Sequence, residues 1–515
     1  MLLVSVYLCF SLDIWNDEVF TLGAVSGSYS QMMEILAKDV HPPLYYILLK
    51  PFVDFLKDPV IAMKLFSVLP GWIFLILGLT FLRKRMGLLP SGLFVFCAVS
   101  MPNLPEYLVE GRMYTFAALF LTLELIFGLE MLRNVEFFKF LALTTLFAVC
   151  ACYTQYFTAV GAAFLFGYFL IVLWIQRKKE ALYVLAAGVL CIVCYLPWLL
   201  GPFVAQITEV AGNYWIEPVT LRSFLGCAKY LFTPSYNHEN LSFFAWFALV
   251  WVFALFLTQF LYNRNKEKKS EGILAFTAGW IPVVTTAVFG IVFSILKSPI
   301  FVYRYLVPAI PAIYYGLSVL VKDCQMEFAT EMTGKGINRD SLQADERAEA
   351  VRKIDNRRLG ARAIALLFLF LIGITNFRAH YGNEMWKRVQ FEESSALLKQ
   401  FPEDAVFIMN FNHVQALMGY YLPNQSYLWY DTQNPLLSQM YPMMHPLVPG
   451  EFTDEEGISN IKELLSGNAP VYFFGSGASR EEIVEKWKSE GISVSEPQSA
   501  LFERYWINLY SLTIP

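Results

Sequence analysis

The sequence predicts an α-helical polytopic membrane protein with about eleven transmembrane helices and a small C-terminal extracytoplasmic α/β domain. Three observations carry this. The 515-residue chain is 56% apolar and only 16% charged, whereas soluble domains carry about 25% charged residues. Its apolar residues come in blocks long enough to cross a bilayer. Beyond residue 376 the pattern changes to short strand-like runs alternating with polar helix signals.

The first block, Met1–Leu12, reads as a first span, thin or lacking some upstream residues. It has neither a basic n-region nor a small-residue cleavage site, so it does not read as a signal peptide. Further spans are expected at Val60–Leu82, Leu88–Met101, Tyr114–Leu132, Phe137–Cys152, Phe157–Ile175, Ala181–Leu200, Leu241–Tyr262, Ile273–Leu296, Phe301–Val321 and Ala361–Asn376.

Basic residues set the direction of these spans, because Lys and Arg favour short cytoplasmic loops. Arg83–Arg85, Arg133 with Lys139, Arg177–Lys179 and Arg264–Lys269 fall in alternate loops, and the polar loop 322–362 continues the alternation. All are cytoplasmic together only if the first span runs from inside to outside. The first external loop, 13–59, then holds His41–Leu56 as a helix along the membrane face, with Pro42 and Pro43 at its start. Lys50 and Lys64 read as headgroup contacts. The protein is placed in the plasma membrane, multi-pass, with residues 377–515 outside.

Strand-like runs in the tail lie at Ala405–Met409, Ser426–Tyr430, Val471–Phe474 and Tyr505–Leu512. Capping-box patterns at Thr453-x-x-Glu456 and Ser479-x-x-Glu482 mark helix starts. Gly475–Ser479 reads as a strand-to-helix turn rather than a phosphate cradle. Cys191-x-x-Cys194 lies in an apolar block and reads as packing rather than a redox pair. With a net charge of −4, nothing in the composition suggests a nucleic-acid binder.

The external loops are poor in charge, and what they hold is specific. Asp17 and Glu18 follow the first span, Asp39 and His41 precede the membrane-face helix, and Glu110, Arg112 and Tyr114 end the second external loop. Tyr153, Gln155 and Tyr156 form another rim, and Arg304 and Tyr305 open a late span. Acids with a nearby Arg suit transfer from a lipid-linked phosphate. A carboxylate takes the acceptor's proton, an Arg holds the phosphate, and aromatic rims suit both a sugar and the headgroup region. The same residues also admit plain readings: solvating a span end, pairing locally, fixing a loop or packing.

Trp15-Asn16-Asp17-Glu18, His41-Pro42-Pro43-Leu44-Tyr45-Tyr46, Glu110-x-Arg112-Met113-Tyr114 and Arg304-Tyr305-x-x-Pro308-x-x-Pro311 occur in this order. In that order they resemble the glycosyltransferase C superfamily, in its protein mannosyltransferase and aminoarabinose transferase branch, over roughly Met1–Val321. The resemblance implies a transmembrane glycosyltransferase domain over 1–376 and an inverting transfer from a polyprenyl-phosphate sugar to an acceptor outside the cytoplasm. It further implies Asp17 as general base, Glu18 supporting it or placing the acceptor, and Arg304 holding the donor phosphate. His41, Glu110, Arg112, Tyr114, Tyr153, Tyr156 and Tyr305 would contact substrate. No cofactor is required, and no divalent metal is indicated. The partners are the polyprenyl-phosphate sugar lipid, an acceptor the sequence does not name, and membrane lipids. Two other classes stay open. A lipid or solute transporter would need paired broken helices in two repeated halves, and no repeat stands out. A non-catalytic envelope assembly protein would work through its tail.

Overall fold

A computed structural model describes residues 1–10, 14–206, 216, 218–233, 246, 250, 271–334, 342–410, 412–422, 425–428, 452–502 and 505–514. Asp13, the expected span Leu241–Tyr262 apart from Trp246 and Val250, and the basic cluster Arg264–Lys269 lie outside the described residues. Contacts divide the chain into two units. Met1–Tyr7, Leu36–Leu48 and Lys64–Tyr381 form a helical unit, and Leu8–Ile35, Leu49–Met63 and Gly382–Pro515 form a unit that contains a sheet.

Among the described residues, seven helices are long and apolar enough to cross a membrane: Pro59–Met86, Tyr114–Leu132, Tyr156–Gln176, Lys178–Gln206, Glu271–Leu296, Tyr303–Lys322 and Ala363–Leu398. Two further apolar helices, Leu88–Ser100 and Phe137–Cys152, match expected blocks but are shorter than a span requires. The expected first span is helical only over Leu2–Leu8. The helix that carries the last expected span does not stop at Asn376 but runs on to Leu398. After residue 376 the sequence stays helix-compatible, with Lys387–Glu384 and Arg388–Glu392 pairs at 3.0 and 3.4 Å on one face.

Tyr114–Leu132 is apolar all round and buried all round, as a central helix must be. Glu271–Leu296 and Tyr303–Lys322 approach backbone to backbone. A Cβ on Gly279 would run into the Ala312 carbonyl oxygen, and one on Gly316 would meet the Ala275 carbonyl oxygen at 2.6 Å. Small residues allow this contact, which replaces the hydrophobic driving force that is missing between helices in lipid. Lys178–Gln206, by contrast, leaves Leu182, Leu190, Ile192 and Val193 exposed, as a lipid-facing helix does. Cys191 and Cys194 are free thiols on that helix.

The basic loops meet at one end of this unit. Arg85 pairs with Glu130 at 3.0 Å, Arg133 with Glu130 at 3.5 Å and Glu271 at 3.0 Å, and Lys322 with Glu271 at 3.0 Å. Arg177 donates to the Leu132 carbonyl at 2.6 Å. Four loops expected to share one side of the membrane therefore do converge.

In the second unit a six-stranded sheet has the order β2-β1-β3-β6-β4, with β5 also pairing β6. The strands are β1 (Val406–Met409), β2 (Ser426–Leu428), β3 (Val471–Gly475), β4 (Ser493–Val494), β5 (Gln498–Phe502) and β6 (Tyr505–Thr513). β1 pairs in parallel with β2 and β3, and β6 is antiparallel to β3, β4 and β5. Alternation along β3 explains both faces. Val471 and Phe473 join the core around Trp487, whose indole N–H donates to the Phe452 carbonyl at 2.9 Å. Tyr472 and Phe474 face Phe401 and Phe407 on the other side.

Two caps differ from expectation. The helix Glu455–Leu465 is capped by Asp454, which accepts from the Gly457 amide at 2.5 Å, and not by Thr453. Ala478 is the N-cap of Ser479–Ser489. Ser479 Oγ instead accepts from Asn410 Nδ2 at 3.0 Å. Asn410 Oδ1 accepts from the Ser476 amide at 2.9 Å, and Gly477 takes φ +74°, which glycine alone adopts freely. One amide that a phosphate cradle would use is therefore engaged, and the segment is a strand-to-helix turn.

The helix expected over His41–Leu56 spans Leu44–Phe55, with the Pro43 carbonyl accepting from Ile47 at 3.0 Å. Lys50 is not a headgroup contact. Its amine is buried, donating to the Val25 carbonyl at 3.2 Å and Asp54 at 3.0 Å and lying over the Tyr29 ring. Lys64 is also buried, at 7% exposure, and does not reach out as expected.

Candidate active site

Asp17 and Glu18 open the helix Asn16–Ser26, where two carboxylates favour the positive end of the helix dipole. Glu18 is buried and accepts from the Trp15 amide at 3.3 Å, so it holds the first turn. Thr21 Oγ1 donates to the Asp17 carbonyl at 2.9 Å, and the Asp17 side chain is half-buried. The Ile14 amide donates to the Tyr421 hydroxyl at 3.1 Å. The carboxylates thus ride on a segment fastened to the sheet-containing unit.

The other candidate residues belong to the helical unit and gather at the end of Tyr114–Leu132 away from the basic loops. Arg112 is 3% exposed. Its amide donates to the Glu110 carbonyl at 2.8 Å, a tight turn that fixes both side chains just before the helix. Its guanidinium contacts His41 Nε2 at 3.1 Å and the Tyr46 hydroxyl at 3.5 Å. His41 Nδ1 lies 2.7 Å from Asp39. Arg304, on the 3-10 turn Tyr303–Ala309, is within electrostatic reach of Tyr114, as are Arg112 and Glu110. Two cations, one carboxylate and Tyr114 are therefore brought together from segments about 190 residues apart.

Three predicted residues are built into the walls of this end. Tyr305 stacks on Phe157 at 4.5 Å. The Tyr156 hydroxyl donates to Gln206 Oε1 at 2.5 Å and accepts from Trp198 at 3.0 Å. The Tyr153 hydroxyl donates to the Cys194 carbonyl at 2.7 Å, and its own carbonyl accepts from the Leu44 amide at 2.9 Å. These contacts hold the segment 36–46 in place, helped by Gln206 Nε2 donating to the Leu36 carbonyl at 2.9 Å.

Sequence reasoning missed Asn103, Tyr107 and Tyr230. Asn103 takes φ +66°, a left-handed conformation Asn tolerates, and donates to the Tyr230 carbonyl at 2.5 Å. The Tyr107 and Tyr230 hydroxyls lie 3.3 Å apart. Burial pushes both well above the usual tyrosine range, and the Glu106 and Glu110 charges push the same way. Both therefore stay protonated as donors. Tyr230 also lies in the field of Arg304. The signal for Tyr107 was its place three residues before Glu110; Tyr230 had none. Chemically, this end presents fixed cations and neutral phenol donors, groups able to bind an anion.

No family model and no curated protein sequence matches the chain. Solved structures do. The crystal structure of ArnT from Cupriavidus metallidurans bound to undecaprenyl phosphate aligns with a TM-score of 0.53 and 12% identity, covering 99% of this chain and 96% of that one. The same protein in the apo state aligns equally, with a TM-score of 0.53. The likeness spans both the apolar helices and the terminal sheet unit, and the length and composition of those helices are those of a multi-pass membrane protein. The chain therefore shares the fold of ArnT.

Proposed function

We propose that this protein is an inverting glycosyltransferase that moves one monosaccharide from a polyprenyl phosphate to an extracytoplasmic glycan, lipid or protein. The observation that carries the reading is the fold shared over 99% of the chain with a transferase captured on undecaprenyl phosphate. The buried Arg112, with Arg304 and Glu110 like it in electrostatic reach of Tyr114, supplies matching chemistry. In the reaction an acceptor hydroxyl oxygen bonds to the anomeric carbon while the carbon–phosphate-oxygen bond breaks. The polyprenyl phosphate leaves with the bonding electrons. Asp17 takes the hydroxyl proton as general base, and Glu18 supports it by fixing the helix turn. Arg304 holds the phosphate as charge builds on it. The protein works in the plasma membrane, with this chemistry and residues 377–515 facing outward.

The test is mass spectrometry of lipid-linked sugars and envelope glycans in cells lacking the protein, complemented with wild type or Asp17→Asn. A polyprenyl-phosphate monosaccharide should accumulate, and wild type should clear it. Asp17→Asn should transfer about 100- to 10,000-fold more slowly, with unchanged membrane insertion and detergent stability. Full clearance by Asp17→Asn would remove the assigned base.

A further inference from the structure

We propose that Asp39 and His41 are positioning residues for Arg112, with the His41 ring acting as a hydrogen-bond acceptor rather than as a cation on phosphate. The consequence for transfer rests on the function proposed above; the bonding pattern does not.

The donors at this junction are fixed by chemistry. A guanidinium only donates, so the 3.1 Å contact of Arg112 Nη2 makes His41 Nε2 the acceptor. The ring proton then belongs on Nδ1, which donates to Asp39 Oδ2 at 2.7 Å. Both ring nitrogens are engaged, and neither is directed at a ligand. A second ring proton, on Nε2, would set donor against donor at 3.1 Å. The same objection holds for a lysine at this position, whose ammonium would face the guanidinium.

The arrangement is braced on every side. Pro42 and Pro43 follow His41 directly, and Gln206 Nε2 donates to the Leu36 and Ala37 carbonyls at 2.9 and 3.2 Å. The Asp39 and His41 side chains are each 15% exposed while Arg112 is 3% exposed, so the chain of bonds runs from the rim to a buried cation. A long side chain with free rotamers would lose entropy on gripping a phosphate; Arg112 is held beforehand. This revises the expectation that His41 contacts substrate itself.

The full-length protein labelled with 15N-histidine in detergent decides the geometry. The His41 signals, identified by their loss in His41→Gln, should show protonated Nδ1 and unprotonated Nε2 at neutral pH. The opposite tautomer or a doubly protonated ring overturns the proposal. Binding of undecaprenyl phosphate decides the role. His41→Gln keeps an acceptor near the Nε2 position and should bind within about threefold of wild type, whereas His41→Lys and Asp39→Ala should bind about tenfold or more weakly, with melting temperatures near wild type. Retained binding by His41→Lys together with loss in His41→Gln overturns it in favour of direct phosphate contact. Should wild type itself not bind the lipid, the transferase reading fails, and the nitrogen shifts still confirm or overturn the bonding pattern.

Discussion

The two ends of the helix Tyr114–Leu132 hold similar residues arranged for different purposes. They lie about 28 Å apart by helical rise. At one end charge meets charge: Glu130 lies between Arg85 and Arg133, and Glu271 between Arg133 and Lys322. At the other, the buried Arg112 donates to a histidine ring and a phenol, and two more phenols beside it are held protonated. Opposite charges at contact distance neutralise one another and clamp helices. The first arrangement is a structural clamp, and the second is the one proposed above to take the donor phosphate, although the residue types overlap.

The comparison breaks most readily at Arg304. Arg304→Ala should weaken undecaprenyl phosphate binding about 10- to 150-fold, the worth of a charge-assisted hydrogen bond, with little change in detergent melting temperature. Arg85→Ala should leave that affinity unchanged. Next in size, Glu130→Gln should cost about 1–3 kcal/mol of stability, because the carboxylate is 4% exposed while its partners, about a third exposed, recover some solvation. Affinity for the lipid should not move. If Glu130→Gln lowers affinity as much as Arg304→Ala does, the two ends are not functionally distinct.

The smallest effect concerns pH. Burial raises Tyr107 above its ordinary value, so the folded chain disfavours its ionisation. The stability tied to that hydroxyl is present below the unfolded tyrosine value, near pH 10, and falls as pH rises past it. Melting temperature should be flat from pH 7 to about 9 on this account. Tyr107→Phe should soften the alkaline decline above it.

Much of this was legible in the sequence. Tyr114–Leu132 and Phe137–Cys152 were bounded to the residue, because apolar blocks flanked by polar turns have only one reading in a bilayer. Charge alternation foresaw the clamp without naming its acids. β1, β3 and β6 showed as apolar runs, but β4 and β5 did not, being two exposed-to-half-buried residues and a strand that begins with exposed Gln498 and Ser499. The helix of the last expected span runs past Asn376 because hydropathy marks where lipid stops, not where helix stops. At the site, Glu110, Arg112 and Arg304 stood out as charges near span ends. His41 was noted but its direction was not, since a tautomer and a partner 71 positions away are facts of packing. Tyr230 lies in an unremarkable helix, Ser223–Phe232, and is made relevant only by Asn103 and Tyr107.

Photocrosslinking tests the central claim most directly. A polyprenyl phosphate carrying a diazirine beside its phosphate, mapped by peptide mass spectrometry on the full-length protein, should label residues within 103–114 or 301–305, with labelling suppressed by excess undecaprenyl phosphate. Competed labelling at Arg83–Arg85, Arg133 or Arg177 instead would contradict it, and would place the lipid phosphate at the clamped end of the helices.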